Sequence, residues 1–600
     1  VEVTSDTIPL SLLRHRYIWK DPSEMPGILT ESPYYRALWS SNNPGVWVLR
    51  IKAQANPESK TELVMRSVGP AGGPVHLLEW NDRQLIINSR WAVTLKPMPL
   101  TVQLGEERKN GWMNERSDLK RWSGAGGWGY ARLELNPKQE YELVISDLEV
   151  ASTSDKNFAE PQPTPRLELP DERFGASLRA QIAQLLMGLV SDGTRPGDPM
   201  SYPFGWLRDE AYIVVALARS GQLAAAKELA ARLAEKDFFG GFGAEADAPG
   251  LAIWALTELA KQLNDRSYDQ WLWPHVRRKA ELILTMLSTD RPIHRQGATP
   301  VIPLYTKPLP SPDPDVTLVA DPPRDGLIKG RIHSSWAPLY VSAASYRGLI
   351  DAASLADRVD QPAWSREWRK RAVELKRAWS TIFERTEQKD ALTYARGLWP
   401  TLAASSSAGT FSRALESQWE QYPANNYWQH ARENVFRMAQ AHEWLWLGRA
   451  DRAWATLAAF WDHQETPGLY AWCTESNREN SFNRWKNVRG WLNGQDGQNG
   501  EDIVTPSYRT AAEMLLLQLD MLAYSDETAN EPTIVIGAGV QPSWLDHGMR
   551  AQGIATAIGR VDWSWDGRRM RASLHGSHAR VRLGPAFRAD TPLYVKYASP

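Results

Sequence analysis

The feature that most constrains this chain is a change of hydrophobic period, made twice. From about residue 173 to 525 the apolar residues recur every three to four positions, as in Ile253, Leu256, Ala260 and Leu263, or Val276, Ala280, Ile283 and Leu287, or Trp454, Leu457 and Phe460. That spacing puts them on one face of a helix. On either side the period is two. Before the helical stretch, Val46-Trp47-Val48-Leu49-Arg50-Ile51 is a short β-branched run bounded by Asn43-Pro44-Gly45. Leu133 and Leu135 alternate with polar residues, and Tyr141, Leu143 and Ile145 repeat the alternation beyond Asn136-Pro137. Short strands between turn signals predict a β-sandwich. After Glu527-Thr528-Ala529-Asn530-Glu531-Pro532, residues Val561, Trp563 and Trp565 alternate, Asp566-Gly567 reads as a two-residue hairpin turn, and Met570, Ala572 and Leu574 alternate back. Gly124-Ala125-Gly126-Gly127-Trp128-Gly129 lacks a βαβ context and reads as a turn, not a phosphate loop.

These switches divide the 600 residues into an N-terminal β-sandwich (1–151), a polar, Pro-rich linker (152–169), a helical domain (170–526) and a small C-terminal β domain (527–600). Ten or eleven helices are expected, at roughly 173–191, 209–219, 221–235, 249–264, 270–288, 336–357, 363–385, 409–420, 426–447, 450–463 and 506–524. Some connections are tight, such as Ser220-Gly221 and Gly448-Arg449-Ala450. Those at 192–208, 236–249, 289–335 and 464–505 are long and rich in Gly, Pro or carboxylates. If the short turns lie at one end of a ring of helices, the long loops gather at the other, where long loops are usually functional. The expected class is therefore mainly α: an (α/α)6 toroid flanked by β domains.

Composition removes several function classes. Lysine plus arginine number 69 against 70 aspartate plus glutamate, a formal charge of −1. A nucleic-acid or anionic-membrane binder would carry a basic surplus, so no nucleic-acid partner is expected. No apolar run nears the roughly 18 residues of a membrane span. One cysteine, Cys473, permits neither an intramolecular disulfide nor a cysteine-based zinc site, and no cofactor or metal is expected. The chain starts at Val1, consistent with a removed leader or tag; a periplasmic or secreted location is expected on this ground, with the cytoplasm left open. Oligomeric state is not readable. Tryptophan is in surplus, 29 residues, which suits a Trp-rich helical core or a cleft that stacks sugar rings.

The long loops hold the candidate chemistry. Trp206-Leu207-Arg208-Asp209-Glu210 opens a helix, where Asp209 could be an N-cap. Glu245-Ala246-Asp247-Ala248-Pro249 opens another, with Asp247 at a capping position and Glu245 without such a role. The third loop carries Asp325, His333 and Trp336. The fourth carries Trp472, Cys473, Glu475, Glu479, Trp485, Arg489 and Trp491, more aromatics than a solvated loop needs. Carboxylates paired across a cleft are what glycosidic cleavage requires: an acid for the leaving oxygen, and a base for water roughly 6.5–9.5 Å away or a nucleophile roughly 5–5.5 Å away. No zinc-protease, nucleophile-elbow or Walker pattern competes. Cys473 beside Trp472 reads as a small buried apolar residue, and 493–502 as a solvated insertion, not a calcium loop.

Over roughly 170–525 the chain resembles the glucoamylase-type glycoside hydrolases and related (α/α)6 enzymes. Trp206-Leu207-Arg208-Asp209 is similar to that family's Trp-x-Arg-Asp, and Glu245-Ala246-Asp247-Ala248-Pro249-Gly250-Leu251 to its Asp-Gly-Pro-Ala-Leu helix start. Ser334-Ser335-Trp336 with Tyr346-Arg347-Gly348-Leu349 resembles the stretch after its general acid. Where the family carries a Leu-Trp-Glu-Glu-like motif this chain has Gly326-Leu327-Ile328-Lys329-Gly330. Trp544-Leu545 and the Trp563/Trp565 hairpin look more like α-L-rhamnosidase-type enzymes. The resemblance implies a glycosidase acting, by inversion, on an oligo- or polysaccharide. Glu475 or Glu479 would be the base and Asp325 or Glu245 the acid. Arg208, Asp209 and Asp247 would grip hydroxyls. Trp206, Trp336, Trp472, Trp485 and Trp491 would stack on rings, with His333 and Arg489 beside them. A polysaccharide lyase recruiting His333, Tyr202, Arg331 or Arg478, and a non-catalytic glycan-binding protein, are the alternatives.

Overall fold

The computed structural model describes residues 13–19, 25–43, 45–54, 60–67, 73–107, 119–151, 165–190, 193–197, 205–240, 243–295, 317–332, 335–386, 393, 396–421, 434–464, 466–473, 506–576 and 578–598. They fall into two units: residues up to 151 with 464 and 466–470, and the remainder.

The two sheets of the first unit are antiparallel, and one helical turn, Leu148–Ala151, follows the last strand. The strands are β1 (Arg14–Ile18), β2 (Gly27–Glu31), β3 (Tyr35–Asn43), β4 (Val46–Ala53), β5 (Thr61–Arg66) and β6 (Leu77–Trp80). They are followed by β7 (Gln84–Ile87), β8 (Trp91–Lys96), β9 (Thr101–Glu106), β10 (Arg121–Ser123), β11 (Gly129–Leu135) and β12 (Glu140–Asp147). Nine strands form one sheet in the order β1-β2-β3-β4-β12-β8-β7-β6-β10, and β5-β11-β9 form another. Alternation sends Leu49, Val93, Leu95, Tyr141 and Leu143 of the first sheet toward Leu104, Ala131 and Leu133 of the second, and these residues share one core.

Among the described residues the second unit has eleven helices of 13 residues or more: α1 (Glu172–Met187), α2 (Leu207–Arg219), α3 (Leu223–Glu235), α4 (Ala248–Leu263), α5 (Arg266–Ser288) and α6 (Pro338–Arg358), then α7 (Pro362–Arg385), α8 (Ala408–Gln421), α9 (Asn434–Trp446), α10 (Ala450–Asp462) and α11 (Tyr508–Leu522). Their starts are chemically marked. Asp171, Asp265 and Ser507 cap α1, α5 and α11 by accepting backbone N–H bonds, and Pro338 and Pro362 open α6 and α7.

The helices pack in a cyclic order. α2 lies against α4, α4 against α6, and α6 against the 3-10 turn Ala403–Ser407. The adjoining Leu398 and Trp399 donate backbone N–H bonds to Glu443 of α9; α9 lies against α11, and α11 against α2. Each of these carries one outer helix: α3 on α2, α5 on α4, α7 on α6, α8 on the turn, α10 on α9 and α1 on α11. The inner helices α2, α4 and α11 are buried along almost their whole length, so they carry small residues where they cross. A Cβ on Gly250 of α4 would lie 2.3 Å from the Ala344 carbonyl oxygen of α6.

The expectation of a mainly α protein is corrected. Helix accounts for 43% of the described residues and strand for 30%, and the large N-terminal sheets carry much of the difference. Strand also appears where a loop was expected: Leu318–Arg324 and Leu327–Ile332 pair as a hairpin inside 289–335. Arg166–Glu168, in the expected linker, pairs with Met549–Thr556 in a five-stranded sheet that belongs to the helical unit. The Asp566-Gly567 turn is longer than two residues. The ladder ends at Trp565 opposite Met570, and the Asp566 side chain accepts the N–H groups of Arg568 and Arg569 within the loop.

Candidate functional site

The inner helices run the same way, so their N-terminal ends converge, and there the chain concentrates buried charge. Arg208 and Asp209 lie in the first turn of α2, Asp247 immediately precedes α4, Tyr340 is in the first turn of α6, and Arg509 is in the first turn of α11. Helix N-termini favour carboxylates, which suits Asp209 and Asp247.

Arg208 holds two carboxylates at once. Its Nε donates to Asp247 Oδ2 at 2.7 Å, and its Nη2 donates to Glu245 Oε2 at 2.5 Å and Asp247 Oδ1 at 3.5 Å. All three side chains are almost fully enclosed. Burial alone would weaken the Arg208 charge; Asp247 and Glu245 outweigh it and hold the guanidinium well above its ordinary pKa. Asp247 stands at the N-cap of α4 but makes no capping bond. Nor is Asp209 a cap, since that position belongs to Trp206. The Glu245–Asp247 segment is fixed from behind by the Ala246 N–H, which donates to the Arg331 carbonyl at 3.0 Å. Gly330 permits the approach, because a Cβ there would lie 2.5 Å from Ala246 Cβ.

A second set interlocks with the first. Arg509 Nη1 donates to Asp209 Oδ1 at 3.3 Å and its Nε to Glu513 Oε1 at 3.4 Å, while Arg396 Nη2 lies 2.6 Å from Glu513 Oε1. Both guanidinium groups lie over the Tyr212 ring, at 3.8 Å for Arg509 and 4.7 Å for Arg396. Three arginines (208, 396, 509) thus face four carboxylates (209, 245, 247, 513). Among the described residues, the hydroxyls of Tyr212 and Tyr340 and Oε2 of Glu513 are buried without a hydrogen-bond partner. Burial pushes both tyrosine hydroxyls above their ordinary value. The arrangement presents directed donors and acceptors with nearly balanced charge, suited to a neutral, hydroxyl-rich ligand.

The residues expected from the sequence separate into four groups. Arg208, Asp209, Glu245 and Asp247 come together. Trp336 stands 43% exposed, with Lys329 4.6 Å and Arg331 5.9 Å from its ring, and Trp206 is half-buried at the start of α2. Asp325 and Trp472 are placed elsewhere. Asp325 occupies the exposed tip of the 318–332 hairpin; Asp325 and Gly326 have φ of 57° and 78°, the left-handed pair of a tight hairpin turn. The Gly326 end lies near Ala378 of the outer helix α7, roughly 13 Å of strand from Gly330. Trp472 is 2% exposed, packs edge-on against Phe460 and donates its indole N–H to the Phe460 carbonyl, so it offers no ring face. His333, Glu475, Glu479, Trp485, Arg489 and Trp491 lie outside the described residues, as do Tyr202 and Arg478.

Tyr212, Tyr340, Arg396, Arg509 and Glu513 were not anticipated. Tyr212 falls four residues after Arg208 on one face of α2, and Glu513 four after Arg509 on α11, a spacing that marks shared faces without naming the partner across the ring. No metal-holding group of His, Cys, Asp and Glu occurs among the described residues.

No protein-family model and no curated sequence matches the chain; the likeness to known proteins is one of structure. A bacterial glucoamylase crystallised with acarbose superposes with a TM-score of 0.52 at 11% identity, over 84% of this chain and 85% of that one. The two share a fold. A family 78 rhamnosidase of Bacillus sp. GL1 (TM-score 0.44, 11% identity, 94% of this chain and 55% of that one) is also found. So is a family 92 α-mannosidase from Bacteroides thetaiotaomicron with mannoimidazole (TM-score 0.43, 10% identity, 92% and 75%).

Proposed function

We propose that the chain is a glycoside hydrolase that cleaves an oligo- or polysaccharide at the N-terminal ends of its inner helices, by inversion. The observation that carries this reading is the interlocked set of three arginines and four carboxylates converging on one end of the helical ring. The fold shared with a glucoamylase that binds acarbose supports it. Arg208, Asp209, Asp247 and Arg509 would position sugar hydroxyls, and Trp206 and Trp336 would meet ring faces. His333, Arg489, Trp485 and Trp491 would complete the subsites. Glu475 or Glu479 would activate water. Of the two acid candidates Glu245 stands in the charged set, where it would have to release its ion pair with Arg208 before carrying a proton, and Asp325 stands on a hairpin tip. Hydrolysis of an extracellular polymer would fit export to the periplasm or beyond.

Elimination chemistry has less support. A lyase base of the tyrosine type needs a lowered pKa, and burial raises the two tyrosines of the charged set, Tyr212 and Tyr340; Tyr202 and His333, the base candidates of that reading, lie outside the described residues.

The test is digestion of a glycan panel in ¹⁸O water, with Glu245→Gln, Glu475→Gln and Glu479→Gln variants alongside and proton NMR of the first-formed anomer. Products gaining one ¹⁸O, with inverted anomeric configuration and abolished by one variant at 475 or 479, are expected. Products lighter by one water would replace hydrolysis with elimination. Intact sugar binding without turnover in any case would reduce the protein to a binder.

A further inference from the structure

The nine-stranded sheet carries a row of tryptophans that its own core does not use. Trp39 of β3 lies opposite Leu49 of β4, Trp47 of β4 opposite Ile145 of β12, and Ile145 opposite Val93 of β8. Opposed residues share a face, and so do alternate residues along a strand. Trp39, Trp47 and Trp91 therefore belong to the face that carries Leu49, Ile145 and Val93 into the core, yet none of the three is part of that core. Trp39 is 40% and Trp47 37% exposed, and Trp91 is half-buried. The Trp47 and Trp91 rings are 5.7 Å apart and tilted by 51°.

Exposed aromatic surface rimmed by polar groups marks a binding site. The rim is ionic and self-neutralised. Arg90 lies 4.9 Å over the Trp91 ring, and its guanidinium bonds Asp147 at 2.7 Å and reaches Glu149 at 3.3 Å. Among the described residues, the cation at this rim, Arg90, is already paired twice, which disfavours a polyanion. A neutral polysaccharide matches both parts: the C–H faces of its rings lie on the indoles, and its hydroxyls reach the Arg90–Glu149 edge, which is largely exposed.

We propose that Trp39, Trp47 and Trp91, edged by Arg90, form a non-catalytic platform on the first unit for a neutral polysaccharide chain. The proposal rests on the glycosidase reading for the identity of the ligand as a glycan. Its geometry does not depend on that reading.

The experiment is native affinity electrophoresis of the full chain through gels containing soluble starch, arabinoxylan, galactomannan or laminarin, with polygalacturonate as the anionic comparison. Wild type should be retarded by at least one neutral polymer. Trp39→Ala/Trp47→Ala should weaken that retardation about tenfold or more, the scale of a lost aromatic stack, while Trp39→Tyr retains most of it. Circular dichroism of each variant verifies the fold, and hydrolysis of short oligosaccharides should be unchanged in the tryptophan variants. Arg208→Met, which disables the helix-end set, should leave the retardation intact. Retardation confined to polygalacturonate, no retardation by any neutral polymer, or equal retardation of wild type and the double variant would overturn the platform. A change in sedimentation without a change in retardation would assign the face to a second copy and also overturn it. Loss of turnover on every glycan with tryptophan-dependent retardation preserved would remove the hydrolase reading and leave the platform standing.

Discussion

At Arg208 one buried guanidinium balances two buried carboxylates, and its removal would strand both. Arg208→Met is expected to lower stability by about 3–5 kcal/mol, the usual consequence of breaking a buried ion pair from one side. Urea unfolding would measure it, and Arg208→Lys should recover only part, because an ammonium cannot bind Asp247 and Glu245 in the same fork. Glu210, next along the helix, makes a pH-dependent prediction. Both its oxygens are buried without a hydrogen-bond partner among the described residues, and a side chain at position 205 would come within 2.4 Å of one of them. Burial raises its pKa to about 7, against the opposing pull of Lys236, Arg232 and Arg195. A carboxylate raised from about 4.5 favours the folded state when protonated, so stability should fall as pH rises from about 4.5 to 7, by about 3 kcal/mol for this group alone. Glu210→Gln should lack that fall; parallel slopes for the two proteins would contradict it. Arg208, Asp209 and Asp247 were legible because each opens a helix within a recognisable local motif. Arg509 was not, because its partner Asp209 is 300 residues away in sequence and only the closed ring of helices brings them together.

Elements were read well where the period was long. Helices expected at 249–264 and 363–385 are observed at Ala248–Leu263 and Pro362–Arg385. The hairpin within 289–335 was missed for a local reason: Pro322 and Pro323 argue against a strand, but they sit where the register shifts between Asp321 and Arg324 and need no ladder bonds. Asp325, an acid candidate as the carboxylate nearest 326–330, stands in the turn of this hairpin. Asp325→Asn should therefore leave kcat unchanged on any substrate found, since asparagine suits the same left-handed position; a hundredfold loss would return Asp325 to the chemistry. The crossing of α4 and α6 supplies the opposite case. Gly348 of α6 meets Gly250 of α4, so closely that a Cβ at 348 would lie 2.7 Å from the Gly250 Cα. Gly250→Ala should push the two helices apart and cost about 1–3 kcal/mol, visible as a lower urea midpoint at unchanged m-value. Because Asp247 precedes α4, the same variant should also raise KM.

Across the whole molecule, part of the tryptophan surplus joins elements. The indole N–H of Trp454 on α10 donates to the Gly539 carbonyl, and that of Trp563 to the Leu522 carbonyl at the end of α11. Composition alone could not distinguish such staples from sugar platforms, because both need one apolar face and one polar edge. The staples explain why the strands after residue 532 cluster with the helices as one unit. Charged groups of the inner helices point the same way: Arg219, the last residue of α2, donates twice to the Ala555 carbonyl, and Arg347, midway along α6, bonds Glu527 at 2.9 Å. Removing residues 527–600 would leave Arg219 without its carbonyl partner, Arg347 without one of its carboxylates, and the faces of α10 and α11 uncovered. The truncated chain is expected to keep helical far-ultraviolet dichroism, lose the near-ultraviolet tryptophan signal and unfold without a cooperative transition. A monodisperse truncation product with a sharp thermal transition would show instead that the helical ring is stable by itself and that the C-terminal sheets are an accessory, contrary to what their hydrogen bonds imply.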